Sequence, residues 1–282
     1  MIAERERGWA LVSVLWVVTA LALLAAGTQA LTGSIYRQER RALELSQVEA
    51  VLDAGVTRAI LGIEAPDVND RWRVDGVPQS FAFDGVDLRI AIQDELGRFD
   101  LNAVDASILY ALFKSEGVPH DQGETLTDRI LDWRSPPSDL HRLHGATDAD
   151  YAAAGLPYRP RHGEFQSVDE LQLVLGMTKP IFDRIRPALT VYTKKPMIDP
   201  AHATREALLA LFDGDTSKVD DLLAQRDQAP APVGVADPAI SLAGRTFSIV
   251  VATELHGRTF SRTAVVEITG DASRPCLILA WS

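Results

Sequence analysis

Few side chains in this sequence could do chemistry, and they are scattered. Six histidines stand at His120, His141, His144, His162, His202 and His256, beside one cysteine, Cys276. No HExxH pair, GxSxG elbow or P-loop occurs, so the spacings that serve zinc hydrolysis, acyl transfer or nucleotide binding are missing. His141 and His144 with Asp139 could hold part of a metal site, although a three-residue spacing within a loop more often gives solvated polar surface. Cys276 has no second cysteine to pair with, and its strand-like surroundings predict burial. Charge excludes a further class. With 28 Lys+Arg against 39 Asp+Glu and a formal net charge of −11, the chain lacks the clustered cations that nucleic-acid binding by counterion release requires.

Such sparse chemistry puts the weight on the elements that carry it. The mean hydropathy of +0.01 averages two unlike parts. Residues 9–36 carry no charge, and about 20 apolar helical residues span a hydrocarbon core of ~30 Å, so a membrane segment is expected. Arg5 and Arg7 precede it and Arg37, Arg40 and Arg41 follow, which leaves the positive-inside rule ambiguous. A secretory signal peptide cut near Ala25-Ala26-Gly27 is the rival reading, with a longer apolar core than such peptides usually have. Leu43, Val48, Val51, Leu52, Val56, Ala59 and Ile60 continue a helical spacing to Ile63, and Pro66 ends it.

Beyond Pro66, alternation at Leu88, Ile90 and Ile92 and the AspGly pairs at 75–76 and 84–85 predict a strand meander over 71–93. Residues 100–190 switch to helical spacing, with caps expected at Asp105 or Asn102, at Thr125, and at Ser167, where Glu170 would complete a capping box. The loop from Ser135 to Pro160 exceeds the ~12–15 residues of ordinary connections. Further helices are expected at 201–212 and 217–227, then a proline-rich linker at 229–239. Strand alternation returns at Phe247, Ile249 and Val251, after a HisGly turn at 256–257 at Phe260, Ala264, Val266 and Ile268, and in LILAW. The sheet is therefore split in sequence by helices. An internal echo aligns 99–113 with 198–212, keeping Asp100 with Asp199, Leu109 with Leu208 and Phe113 with Phe212. It suggests helix-hairpin-like units, without the basic glycine hairpin that contacts phosphate.

The leader GluArgGluArg at 4–7, then Gly8 and an apolar helix opening at Trp9, resembles the class III leader of type IV pilins and pseudopilins, cut after the glycine by prepilin peptidase. As a bland alternative, Gly8 is a membrane-boundary residue. Most pseudopilins carry Glu at the fifth position after the cut; here it is Ser13. Five segments in order resemble the large minor pseudopilin K of type II secretion: residues 7–15, DELGRFDLN at 94–102, ILDWR at 130–134, EFQSVDELQLVLG at 164–176, and RTFSRTAVVEI at 258–268.

That resemblance implies an α+β fold, with a pilin-like N-terminal helix packed on an antiparallel sheet and a large all-helical, SAM-like or helix-hairpin-like insertion between its early and late strands. The expected organisation is a leader at 1–8, a transmembrane segment at 9–36, a periplasmic helix and first strands at 37–99, the insertion at 100–190, a second helical piece and linker at 191–239, and late strands at 240–282. It implies a non-enzymatic subunit of the pseudopilus tip, anchored once in the inner membrane with its C-terminal domain in the periplasm. Minor pseudopilins I and J, other pseudopilins and prepilin peptidase are the implied partners, and nucleic acid is not. A tip subunit has no neighbour above it to neutralise a buried Glu, which suits Ser13. The resemblance also implies calcium, which takes about six to eight oxygen ligands. Asp132, Asp139, Asp148 and Asp150 flank the long loop and are the candidate ligands. Two positions depart from the acid-rich family pattern, Ser135 and Thr147, and a capped, solvated loop is the alternative. An uncut, membrane-anchored periplasmic binding or adaptor protein is the alternative to the tip subunit.

Overall fold

The computed structural model describes residues 4–136, 142–228, 241–255 and 257–282, apart from the side chains of 4–8, 10–11, 26–42 and 68. The expected linker at 229–239, Asp139, His141 and His256 lie outside it. The chain divides into two compact units, residues 1–51 and 52–282.

The first unit is carried by helix α1, Glu4–Ile63. Its described apolar side chains between Trp9 and Leu24 are all exposed. The Ser13 hydroxyl donates to the Trp9 carbonyl at 2.8 Å and Thr19 Oγ1 to the Leu15 carbonyl at 2.7 Å. Both polar groups are thus satisfied within the helix. Among the described residues no helix is long and apolar enough to cross a membrane, and much of the expected 9–36 span has side chains outside them.

In the second unit, Leu52, Val56, Ala59 and Ile63 recur every three or four residues along α1 and are at most 3% exposed, the stripe of a helix with one buried face. The sheet beside it has strand order β1-β2-β5-β6-β7, with all neighbours antiparallel. Its strands are β1 (Gln79–Phe83), β2 (Val86–Asp94), β5 (Arg245–Leu255), β6 (Arg258–Asp271) and β7 (Arg274–Trp281). Leu88, Ile90 and Ile92 from β2 join Phe247, Ile249 and Val251 from β5 and Ala264, Val266 and Ile268 from β6 in the core. A Cβ on Gly55 would press on Val251 and Leu88, so glycine lets helix and sheet approach closely. Asp53 accepts from Arg262 at 3.0 Å across the same contact. The β1–β2 hairpin turns on Asp84 (φ 50°) and Gly85 (φ 75°), the two positive φ values of a type I′ turn.

The meander is shorter than its sequence suggests. Between 71 and 78 only Asp75 bridges, to Gln93, because Arg73 turns back onto Asp75 at 2.6 Å and Gly76 is left-handed at φ 81°. The remaining α-helices among the described residues lie between β2 and β5: α2 (Ala106–Ser115), α3 (His120–Arg134), α4 (Asp148–Ala153), α5 (Lys179–Ile185), α6 (Arg205–Leu211) and α7 (Thr216–Gln228). They enclose a second core with Leu109, Leu112, Phe113, Ile130, Trp133, Tyr151, Phe165 and Leu208. Two-residue strands β3 (Phe99–Asp100) and β4 (Leu189–Thr190) pair in parallel where the chain enters and leaves the first helices. The mixture of helix and antiparallel sheet agrees with the sequence expectation.

Two caps fall elsewhere than expected. Helix α3 starts at His120 after Pro119, so Thr125 lies inside it and bonds the Asp121 carbonyl at 2.7 Å. Residues 168–173 form a 3-10 helix with no side-chain bond from Ser167, and Glu170 pairs with Arg161 at 2.7 Å and accepts the Gln166 amide at 3.1 Å. The capping box forms instead between Thr147 and Asp150 at the start of α4.

Candidate functional site: the neck of the helical insert and the acidic loop

Three of the segments singled out in the sequence, 94–102, 130–134 and 164–176, converge on one place, the neck between sheet and helices. The Asp94 side chain accepts from the Leu96 amide at 2.8 Å, capping a 3-10 turn at Glu95–Gly97, and also pairs with buried Arg245 of β5. Glu95, 1% exposed, receives Arg98 at 2.8 Å and the Ser248 hydroxyl. Gln93 donates from Nε2 to the His202 carbonyl at 2.8 Å. Two backbone bonds, Asp199 N to Leu96 O (2.7 Å) and Thr204 N to Gly97 O (3.2 Å), tie the 198–204 segment to the turn. Buried Asp100 accepts from the amides of Asn102 (2.8 Å), Thr193 (2.9 Å) and Lys194 (2.8 Å). Asn102 acts as a surrogate peptide: Nδ2 donates to the Phe165 carbonyl at 3.0 Å, and Oδ1 accepts its amide at 2.7 Å. Arg134 donates to the carbonyls of Leu101 and Val104, while Trp133 stacks on Phe165 with centroids 6.0 Å apart. DELGRFDLN, ILDWR and the EFQ run are therefore parts of one hydrogen-bonded knot. It contains backbone clamps and compensated charges, an arrangement that holds a domain in place rather than one that activates a substrate.

The internal echo is structural as well. Asp199 Oδ1 accepts the Ala201 amide at 2.9 Å, as Asp100 does that of Asn102, and each turn leads six residues later into a helix, α6 and α2. Asp199 also accepts from His202 Nδ1 at 3.0 Å, and this bond foremost holds its carboxyl at about 2.

Three of the candidate ligands of the acidic loop meet protein partners. Asp132, 3% exposed in its side chain, meets Arg142 at 2.8 Å. Asp148 meets His162 at 2.8 Å and Arg159 at 3.6 Å, and the hydrogen bond from His162 lowers its carboxyl below the usual range. Asp150 Oδ2 accepts the amide and hydroxyl of Thr147, both at 2.7 Å. Asp139 lies outside the described residues. Among those described, no three His, Cys, Asp or Glu side chains gather in a way that could hold a metal ion, so the described acids do not by themselves supply the shell of convergent oxygens that calcium demands. His144 lies 3.5 Å from Asp128 instead. Of the cleavage pair, Gly8 and Trp9 both fall within α1, and Trp9 is 81% exposed. Cys276 is half-buried rather than buried, because it lies on the edge strand β7; partial burial raises its thiol pKa. Arg142, Arg245, His162 and Gln93 were not singled out by sequence, for an isolated Arg, His or Gln carries no spacing signal.

Comparison with known proteins places this geometry. Residues 96–194 match the family model of type II secretion system (T2SS) protein K. Over that segment the chain is similar to the protein K family. It is 24% identical to type II secretion system protein K of Pseudomonas aeruginosa over 78% of this chain and 72% of that protein. The K protein of Klebsiella pneumoniae is 26% identical over 77% of this chain and 73% of its own. That of Pectobacterium carotovorum is 25% identical over 65% and 62%. In fold, the chain is similar to a chain of the GspK-GspI-GspJ complex from enterotoxigenic Escherichia coli, with a TM-score of 0.62, 16% identity, and coverage of 87% of this chain and 98% of that one. The segment matching protein K opens at Leu96, inside the capped turn, and closes at Lys194, whose amide is held by Asp100. Its limits therefore lie at the neck itself.

Proposed function

We propose that this protein is the K-type minor pseudopilin of a type II secretion system, a non-catalytic subunit at the pseudopilus tip. There it initiates assembly and aids export of folded proteins across the outer membrane. The observation that carries this reading is the protein K match at 96–194 seated as a helical insert between β2 and β5 of an antiparallel sheet. The uncharged run at 9–36 supports anchoring in the inner membrane, with the remainder in the periplasm. Ser13 and Thr19 bond carbonyls of their own helix, as polar groups in a bilayer must. Prepilin peptidase would cut between Gly8 and Trp9. By likeness to the GspK-GspI-GspJ complex, the partners are the small minor pseudopilins I and J. Work of this kind is done by surfaces, and the neck's role is to hold the insert rigidly against the sheet.

Two experiments test the reading. Co-expression of the full chain with the I and J pseudopilins of the same bacterium should yield a ternary complex in detergent; a strictly monomeric chain would count against it. N-terminal sequencing of the membrane-extracted protein should begin at Trp9. An intact Met1 would favour an uncut anchored adaptor, and a start near Thr28 would indicate an ordinary signal peptide and sink both.

A further inference from the structure

We propose that Arg142 supplies at Asp132 the positive charge a metal ion would bring, so that this buried carboxylate is compensated by the chain itself and needs no calcium. Asp132 sits in the last turn of α3 with its carboxylate buried, and a buried carboxylate requires a compensating charge. That charge comes from within the loop: Arg142 Nη1 lies 2.8 Å from Asp132 Oδ1 and 3.4 Å from Ser135 Oγ. Ser135 makes the arrangement neutral. Its hydroxyl is already bonded to the Leu131 carbonyl at 2.7 Å, whereas a carboxylate there would call for a second positive charge.

The backbone then closes over the pair. Gly145 N donates to the Arg142 carbonyl at 3.1 Å, and a Cβ at 145 would overlap Asp132 Oδ2. Chain packed so tightly onto the carboxylate leaves no room for an ion and its ligands at the 2.3–2.6 Å typical of calcium coordination. The neighbouring acids are engaged as well: Asp128 with the His144 amide at 3.0 Å, Asp148 with His162 and Arg159, and Asp150 with Thr147.

Thermal unfolding of the full chain in detergent tests this, with millimolar calcium chloride set against EDTA. The wild type should unfold at one Tm in both. Arg142→Gln should lower Tm by roughly 3–8 °C in either condition, the cost of stranding a buried carboxylate tempered by Arg142's partial exposure. Arg142→Lys, which keeps the charge, should fall less and guards against a variant that fails to fold. A wild-type Tm raised about 5–10 °C by calcium, the shift for a site whose Kd is a hundredfold below the added ion, would overturn the proposal. An unchanged Tm in Arg142→Gln would do the same.

Discussion

Gly97 and His202 meet backbone to backbone: a Cβ at 97 would overlap the His202 carbonyl oxygen and lie 2.8 Å from Gln93 Nε2. Both neighbours are fixed, the carbonyl by its bond from Gln93 and the amide side chain by its second bond to the Asp94 carbonyl. The glycine of the DELGRFDLN run is therefore required for close approach, not for an unusual φ. Gly97→Ala should cost about 1–3 kcal/mol, as overpacking of a core does, and lower Tm by roughly 2–12 °C in a thermal melt.

Arg245 and Asp94 form a buried ion pair between β5 and the end of β2. Replacing Arg245 with Met strands a carboxylate that is 0% exposed, at a cost of about 3–5 kcal/mol. Chemical denaturation should show that loss, and the double variant Asp94→Leu/Arg245→Met should recover part of it, because no charge is then left buried.

Asp199 supplies an acid-sensitive contact. Its carboxyl is lowered to about 2 by the bond from His202, by the Ala201 amide and by the nearby charges of His202 and Arg245. A depressed carboxyl stabilises the fold above its unfolded pKa, about 4, and that contribution disappears as pH falls toward 2. The melting temperature of the wild type should therefore drop more steeply between pH 4 and about 2 than that of Asp199→Asn, which should already be less stable at pH 7. Parallel curves for the two proteins would refute this.

The displaced capping box offers a paired test. Thr147→Ala removes a side chain that caps α4 and should cost about 1 kcal/mol, or roughly 2–4 °C in Tm. Ser167→Ala removes no cap bond and should leave Tm within a degree.

Much of the fold could be read from periodicity. Alternation at Leu88, Ile90 and Ile92 and at Phe247, Ile249 and Val251 marks strands with one face in the core, and the sheet pairs Ile90 with Val251 and Ile92 with Ile249 across β2 and β5. The stripe from Leu52 to Ile63 marks the helix face in the same way. What periodicity could not reveal is competition for a partner. Ser167 and Glu170 have the spacing of a capping box, yet the glutamate meets Arg161 in a bidentate pair and accepts the Gln166 amide instead. The acids around the long loop were legible as a cluster in sequence. Only folding set Arg142 beside Asp132 and His162 beside Asp148.

By itself, then, the amino-acid sequence determined the local periodicities, the split of the sheet by helices, the uncharged run at 9–36 and the motifs that resemble protein K. These are properties of neighbouring residues, which share an element and hence a face. Tertiary structure alone decided what the motifs are for. Asp94 meets Arg245 across 151 positions, Asn102 meets Phe165 across 63, and Gly97 meets His202 only because two segments far apart in the chain pack at one neck. Burial makes those meetings consequential, since a carboxylate or amide removed from water must find its partner wherever the fold brings one.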